Sequence, residues 1–297
     1  MPHPVRLIGA FINWCEPMIR NRFISGQSRR IAGLLLVMFV PGFSFLAAWG
    51  SLHVAFLVHP WLGNLLWIVL GYTTLAAKDL AKHAWEVYDR LHPGSLGEAR
   101  QAVSLMVGRE TDRLSESEIA GATIESVAEN TSDGVIAPLF YLVVGGPPLA
   151  LAYKAINSLD SMIGYQDALY RDIGWASAKL DDLANAIPAR LSAGLLVLAS
   201  SFRHAAVANV WSIYRRDCAK HASPNSGHPE AAMAGALGVL LGGPGVYGGI
   251  RVERPQFGDP TNVPQSRHIP MAIELMWISF GLATVLGVGF TTLWNAL

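Results

Sequence analysis

Apolar and polar stretches alternate along this 297-residue chain in blocks of tens of residues. Residues 31–58 form the first strongly apolar block, interrupted at Pro41-Gly42, and residues 61–77 form a second beyond the His59-Pro60 turn. Both read as bilayer-crossing helices, which need about 20 apolar residues. Trp61 and Trp67 fall where belt tryptophans meet the interface. Residues 187–212 and 270–295 are two further apolar blocks, and the Ala/Gly-rich stretch 231–250 suits close packing of helices. Residues 135–156 are apolar too, yet they hold Pro138 and the run Gly145-Gly146-Pro147-Pro148. Backbone that breaks at membrane depth is tolerated only inside protein or beside a wet cavity, so a broken or re-entrant pair is expected there. A straight span from Val135 to Ile156 would run roughly 33 Å and put Glu129 and Asp160 on opposite faces of the membrane. A site shared by the two therefore requires the chain to turn back.

The polar segments complete this picture. Residues 1–30 carry five arginines (Arg6, Arg20, Arg22, Arg29 and Arg30) against one acid, Glu16. With Leu7, Ile8, Phe11, Ile12 and Trp14 they read as a basic amphipathic helix on the membrane surface, and no cleavable signal peptide is visible. Residues 78–124 suggest soluble helices broken at His92-Pro93-Gly94-Ser95, with Ser115 and Glu118 spaced as a capping box. The expected fold is all-α: a multi-pass integral membrane protein with a broken or re-entrant centre and amphipathic or cytoplasmic helices. It is read as one membrane-embedded domain, 1–297. Within it lie a basic N-terminal segment (1–30), a helical hairpin (31–77), a polar helical segment (78–134), core motifs (135–190) and C-terminal membrane helices with a phosphate-loop candidate (191–297). Basic segments 1–30, 78–124, 203–220 and 251–267 fall on the cytoplasmic side by the positive-inside rule.

Composition agrees: 52% of residues are hydrophobic, only 15% are charged, and the mean hydropathy is +0.33. Net charge is zero, which gives no electrostatic case for nucleic acid. Cys15 and Cys218 make neither a disulfide framework nor a zinc spacing. The chain has no G-x-x-x-x-G-K-[ST] phosphate loop. Gly243-Pro-Gly-Val-Tyr-Gly248 matches G-x-G-x-x-G but lies in no βαβ unit, so it carries no dinucleotide signal.

In so acid-poor a chain, the concentration of polar groups between Glu125 and Arg190 is the chemical signal. Glu125, Glu129 and Asp133 are spaced i, i+4, i+8, on one face of a helix. That face is either solvated or an acidic cluster offset by a divalent cation or a basic substrate. Lys154, Asn157 and Asp160 follow near one side of another helix, and Asp181, Asp182 and Asn185 make a third group. Oxygen ligands of this kind suit Mg²⁺, with Glu129, Asp133 and Asp160 the candidate ligands. Arg109 is a candidate phosphate ligand or an ion-pair partner of Glu110 or Asp112. In His221-Ala-Ser-Pro-Asn-Ser-Gly-His-Pro-Glu230, Pro229 and Glu230 signal a helix start. His221, Ser223 and Asn225 there either meet a phosphate or cap the helix.

These stretches resemble the adenosylcobinamide-phosphate synthase family of cobalamin biosynthesis, CobD or CbiB. The resemblance is carried by E-S-V-A-E-N-T-S-D-G-V-I-A-P-L-F-Y, Y-K-A-I-N-S-L-D-S-M-I-G-Y, G-W-A-S-A-K-L-D-D-L-A-N-A-I-P-A-R and H-A-S-P-N-S-G-H-P-E-A-A-M-A-G-A-L, with P-H-P-V-R-L-I-G at the start. It covers most of the chain. Family members usually have an apolar segment before P-H-P-V, so a first membrane helix is expected to be missing. The resemblance implies an enzyme that joins adenosylcobyric acid, a corrinoid, to (R)-1-amino-2-propanol O-2-phosphate or the free aminopropanol through an amide bond. It also implies ATP and Mg²⁺, an inner-membrane location and a site open to the cytoplasm; an oligomer is left open. Glu125, Glu129, Asp133, Asp160, Asp181 and Asp182 are then the candidate metal or general-base residues. Arg109, Lys154 and Arg190 are candidate phosphate or carboxylate binders. Asn130, Asn157 and Asn185 orient substrates, with His221, Ser223, Asn225 and Glu230 at the phosphate loop.

Other readings are weaker. A prenyl transferase wants N-D-x-x-D pairs, and a CDP-alcohol phosphotransferase wants D-G-x-x-A-R, where this chain has Asp133-Gly-Val-Ile-Ala-Pro138. A transporter or a membrane sensor of the related AmpE branch would also hold ionisable groups in the membrane, but transporters usually show paired repeat halves and none is found.

Overall fold

A computed structural model describes residues 3–23, 25–92, 94–164 and 170–296. Pro2, Pro93 and Tyr165, which belong to the motifs and breaks read above, lie outside the described residues. Three helical stretches are long and apolar enough to cross a bilayer: Gly26–Val58, Glu116–Ile163 and His268–Trp294. A fourth counts if Trp175–Ala184 and Ala186–Arg203, broken at Asn185, make one span. The protein is thus a multi-pass helical membrane protein. Its chain divides into two compact units, residues 1–75 with 137–185, and residues 76–136 with 186–297.

The first unit holds helices α1 (Pro4–Arg22), α2 (Gly26–Val58) and α3 (Pro60–Tyr72). The later α7 (Ala137–Ile163) and α8 (Trp175–Ala184) complete it. The amphipathic pattern of α1 is spent on packing: Ile12 is fully buried among Leu36, Val37 and Val40 of α2 and Ala155 and Leu159 of α7. The span read over residues 31–58 is present, and α2 runs through Pro41. One lost donor is a small defect in a helix flanked by apolar turns, and the Ser44 hydroxyl bonds to the Val40 carbonyl at 2.7 Å. The second expected span is corrected: α3 has 13 residues, about 20 Å at 1.5 Å per residue, well short of the hydrocarbon core. The break at Gly145-Gly146 is present. Gly145 has φ −144° and Gly146 φ +67°, ψ −169°, a conformation open in practice only to glycine.

The second unit holds α4 (Ala77–Leu91), α5 (Leu96–Ser104), α6 (Glu116–Asn130), α9 (Ala186–Ser200), α10 (Val207–Asp217), α11 (Gly227–Leu237) and α12 (His268–Ala296). The capping box forms at α6: Ser115 N–H and Oγ–H donate to Glu118 Oε2 at 2.8 and 2.6 Å. Every residue from Ile119 to Ala128 is buried. The chain then enters a six-residue π-helix, Thr131–Ile136. Such wide turns are rare and concentrate at functional sites. The Ala/Gly-rich stretch 231–250 is helical only to Leu237. Gly238, at φ +65°, ends α11, and two small antiparallel ribbons follow. They pair β1 (Leu241–Gly242) with β4 (Gln256–Phe257), and β2 (Gly245–Tyr247) with β3 (Ile250–Val252). The G-x-G-x-x-G match falls in the second ribbon, with no parallel strand beside it.

Candidate functional site

Within the second unit, α6 aims two of its acids at a small cavity. Its volume is about 130 Å³, and Arg109, Glu125, Glu129, Glu230, Tyr247 and Arg254 line it with Met106, Gly108 and Ser126. Glu125 is the centre of a clamp. Its Oε2 accepts from Arg109 Nη2 at 3.1 Å and from Arg254 Nη1 at 3.0 Å, and its Oε1 accepts from the Gly242 N–H at 2.9 Å. The Glu125 and Arg109 side chains are 8% and 7% exposed. A buried charge persists only when so paired. The Arg109 Nε–H is buried and has no hydrogen-bond partner. Arg109 thus pairs with Glu125, while the neighbouring Glu110 instead accepts from the Gly249 N–H at 2.7 Å.

Glu129, one turn on, accepts from the Ser226 hydroxyl at 3.3 Å. Glu230 sits in the first turn of α11, as the helix-start signal has it. It is 2% exposed, and its Oε2 has no hydrogen-bond partner. Burial, and then the charges of Glu129 and Glu125, raise its carboxyl well above the ordinary carboxylate range. Although burial opposes it, the charge of Glu125 raises the Arg254 guanidinium.

The other predicted residues fall outside this cavity. Asp133 lies in the π-helix, where the wider turn takes it off the regular i, i+4, i+8 face, and it is half-buried. The Asn130 amide donates to the Ser126 carbonyl at 2.9 Å. Arg190 is exposed and donates to the Ala186 carbonyl at 2.6 Å. His221 Nδ1 accepts from the Ser223 N–H at 2.9 Å. The Ser223 hydroxyl accepts from the N–H groups of Asn225 and Ser226 at 3.2 and 3.3 Å. That loop is a self-bonded turn leading into α11, whose N-cap residue Ser226 makes no side-chain cap bond. Burial first and Arg254 second lower the His221 imidazole below its ordinary value.

In the first unit a separate polar chain crosses the apolar packing. The Tyr153 hydroxyl donates to Asn185 Oδ1 at 2.9 Å, and Asn185 Nδ2 donates to Asp181 Oδ2 at 2.9 Å. Asn157 also bonds to Asp181, and Lys154 Nζ donates to Asn157 Oδ1 at 3.1 Å. Tyr141 stacks on Tyr153 at 4.9 Å and donates to the Ala184 carbonyl. Asp182, next in sequence to Asp181, points to Lys179 at 3.5 Å near the surface. Asp160 is half-buried near the end of α7, where its carbonyl accepts from the Gly164 N–H at 2.7 Å. A larger cavity of about 480 Å³ between α1 and α2 is almost wholly apolar and carries none of this chemistry.

Sequence reasoning missed Arg254, Tyr247, Ser226 and the Gly242 N–H. Glu253-Arg254-Pro255 reads only as part of a basic flank, and nothing in the sequence links Arg254 to an acid 129 positions earlier. Among the described residues, no group of three or more His, Cys, Asp or Glu side chains converges as a metal cage.

Fold and cavity together define a multi-pass membrane protein with an arginine-clamped carboxylate site of the size of a small polar ligand. Comparison places it further. The family model described as CobD/Cbib protein matches residues 1–276. The chain is 46% identical over 293 residues to cobalamin biosynthesis protein CobD of Geobacter metallireducens, covering 99% of this chain and 91% of that one. It is 48% identical to the CobD of Streptococcus sanguinis, over 94% of this chain and 87% of that one. It is 44% identical to cobalamin biosynthesis protein CbiB of Salmonella typhi, over 96% and 89%. No solved structure matches. The chain belongs to the CobD/CbiB family, and the transporter, sensor and other transferase readings are not favoured.

Proposed function

We propose that this protein acts in cobalamin biosynthesis as an ATP-dependent acid–amine ligase. It joins the carboxylate of adenosylcobyric acid to (R)-1-amino-2-propanol O-2-phosphate, or to aminopropanol, as an amide. The observation that carries the reading is the near full-length likeness to relatives named as cobalamin biosynthesis proteins. The buried carboxylate–arginine cavity supports it from the side of chemistry. A carboxylate is a poor electrophile. ATP, when bound, supplies a phosphoryl group to one carboxylate oxygen and leaves as ADP. The amine nitrogen then bonds to the carbonyl carbon, the carbon–oxygen bond to phosphate breaks, phosphate leaves with the electron pair, and a base takes the amine proton.

The chain's own groups suit these tasks. Arg109 and Arg254, held by Glu125, present guanidinium donors to phosphoryl oxygens. Glu125 accepts from three donors, so it orients the arginines. Glu129 is the candidate base or Mg²⁺ ligand. Mg²⁺ needs only one or two carboxylates where it shares phosphate oxygens, and the hard oxygen of Glu129 beside the arginines fits that pattern. Asp133 and Asp160 are the other candidate ligands in their own elements. The chain Tyr153–Asn185–Asp181–Asn157–Lys154 holds its members in fixed orientation in the first unit. Because ATP is cytoplasmic, the site opens to the cytoplasm from the inner membrane. The test incubates the purified protein with corrinoid acid, either amine and ATP, and follows ADP and the corrinoid product by mass spectrometry. ADP release and product that both require acid and amine together are expected; ATP hydrolysis without amide would sink the ligase reading.

A further inference from the structure

Away from the carboxylate–arginine cavity, the second unit carries an apolar groove between α9, α10 and α12. Its volume is about 490 Å³, and Arg190, Gly194, Leu198, Val207, Trp211 and Leu286 are among its walls. Two of these helices belong to membrane-crossing stretches: α12 is one span, and α9 is half of the bent pair. Leu198, Trp211 and Leu286 remain exposed. A Cβ placed on Gly194 would meet nothing within 4 Å, so the groove is open space over α9 and not a seat for a neighbouring side chain.

One end of the groove is cationic. Arg190 is the first of the α9 residues that line it, exposed and donating to the Ala186 carbonyl. Arg203 pairs with Glu274, and Arg216 with Asp217 and Asp259, but among the described residues Arg190 pairs with no carboxylate. Tyr214 adjoins it: its hydroxyl and His228 Nδ1 are hydrogen-bonded at 3.0 Å, and its ring lies 5.2 Å from that of Trp211. Burial raises the Tyr214 phenol and lowers the His228 imidazole, and the charge of Arg190 pulls both downward, which sets it beside them. Arg215 follows Trp211 by four residues, so it stands one turn further along the same face of α10, exposed and likewise in no ion pair among the described residues.

Shape and charge select the occupant. From Arg190 to Leu198 the groove follows α9 for about 12 Å at 1.5 Å per residue, less than half the ~30 Å hydrocarbon core. A partner's spanning helix would overrun it and would cover the guanidinium without supplying an anion. The volume is about sixteen times the ~30 Å³ share of a water molecule, on the order of one acyl chain and far more than a lone phosphate needs. A phospholipid joins an anion to a chain in the order in which the groove offers cation and apolar trough. Rings such as those of Trp211 and Tyr214 settle at headgroup level, and guanidinium forks match phosphate oxygens. A zwitterionic headgroup would bring its own cation toward Arg190 and Arg215, so an anionic one fits better.

We propose that this groove binds an anionic phospholipid, with the headgroup phosphate on Arg190 and one acyl chain along Gly194 and Leu198. The site is independent of the reaction the protein performs, and it gives a role to a motif arginine that the carboxylate–arginine cavity leaves aside.

The experiment is native mass spectrometry of the full-length protein in neutral detergent. Separate arms add phosphatidylglycerol, phosphatidylcholine with the same chains, phosphatidylglycerol with short chains, and inorganic phosphate. Long-chain phosphatidylglycerol should bind about tenfold or more tightly than phosphatidylcholine, as one charge-assisted contact allows. The short-chain lipid should bind about tenfold more weakly than the long, and inorganic phosphate should not displace either. Arg190→Ala should remove most of the headgroup preference, and Arg190→Lys, which keeps the charge and loses the fork, should keep part of it. Gly194→Leu, whose Cβ enters open space, should weaken long-chain phosphatidylglycerol about tenfold while circular dichroism stays as in the wild type. Equal binding of the two headgroups by the wild-type protein overturns the proposal without any variant. So does a folded Gly194→Leu protein that binds the long-chain lipid unchanged. Equal binding of short and long chains, or displacement by inorganic phosphate, would mean an anion site only and overturns it too. A lipid-free dimer that Gly194→Leu dissolves would give the groove to a second copy of the chain instead.

Discussion

Glu125 makes the sharpest test of the site, because its carboxylate accepts from Arg109, Arg254 and the Gly242 N–H together. Both oxygens are committed at 2.9–3.1 Å, and the side chain is 8% exposed. Replacing it with alanine leaves two guanidiniums without the carboxylate they share. Removing one partner of a buried ion pair costs about 3–5 kcal/mol. Glu125→Gln keeps one acceptor oxygen but sets an amide donor against donors, and should cost about 3 kcal/mol. For a unit of this size that is a fall of roughly 6–12 °C in the unfolding midpoint. Circular dichroism on the purified protein in detergent reads this directly. A double-mutant cycle of Glu125→Ala with Arg254→Ala should return a coupling above about 1 kcal/mol, because the lone arginine costs less once its neighbour is gone. A midpoint within about 1 °C of wild type for Glu125→Gln, with coupling below about 0.5 kcal/mol, would refute the clamp.

Three further outcomes follow from particular contacts. Glu129→Gln should leave the protein in the membrane and lower amide formation about a hundredfold, as loss of one electrostatic contact at a reacting centre does; near-normal turnover would remove Glu129 from the chemistry. Glu230 has its carboxyl raised above 4.5 in the fold, by burial and then by Glu129 and Glu125. Its contribution to stability is complete below that ordinary value and is lost as pH rises toward and through the raised folded value. Glu230→Gln, which cannot ionise, should therefore gain in unfolding midpoint over wild type at about pH 8 and not at about pH 4, and a pH-independent difference would contradict the assignment. Gly33→Ala should destabilise the first unit by about 1–3 kcal/mol, because a Cβ there runs into the backbone carbonyl of Ile173, whereas Gly42→Ala meets open space and should be neutral or slightly stabilising in the same thermal assay.

The sequence by itself determined what local chemistry determines. Apolar length sets the spans at Gly26–Val58 and His268–Trp294, because a bilayer-crossing helix satisfies its own backbone and needs only enough apolar residues. Ser115 and Glu118 announce the start of α6, since both halves of that cap lie within one turn. Gly145 and Gly146 announce the break in α7, since a φ of +67° is a property of a single residue. The concentration of acids in a sparsely charged chain marks Glu125 and Glu129, and the ordered motifs mark the family. What the tertiary structure decided lies at long sequence separation. Pro41 interrupts the apolar block in the sequence, and α2 runs through it with Val37, Val40 and Ala48 buried around it. The i, i+4, i+8 rule assumes an unbroken α-helix, and the π-helix from Thr131 removes Asp133 from it. Spacing alone leaves Glu125 a candidate metal ligand or base, and the fold sets Arg109, Arg254 and the Gly242 N–H on its oxygens and buries Glu230, the first-turn acid of α11, at the same cavity. An acid's role depends on which donors and charges surround it and how much water remains. For Glu125, Arg254 and the Gly242 N–H come from elements more than a hundred residues away, which no local spacing can name.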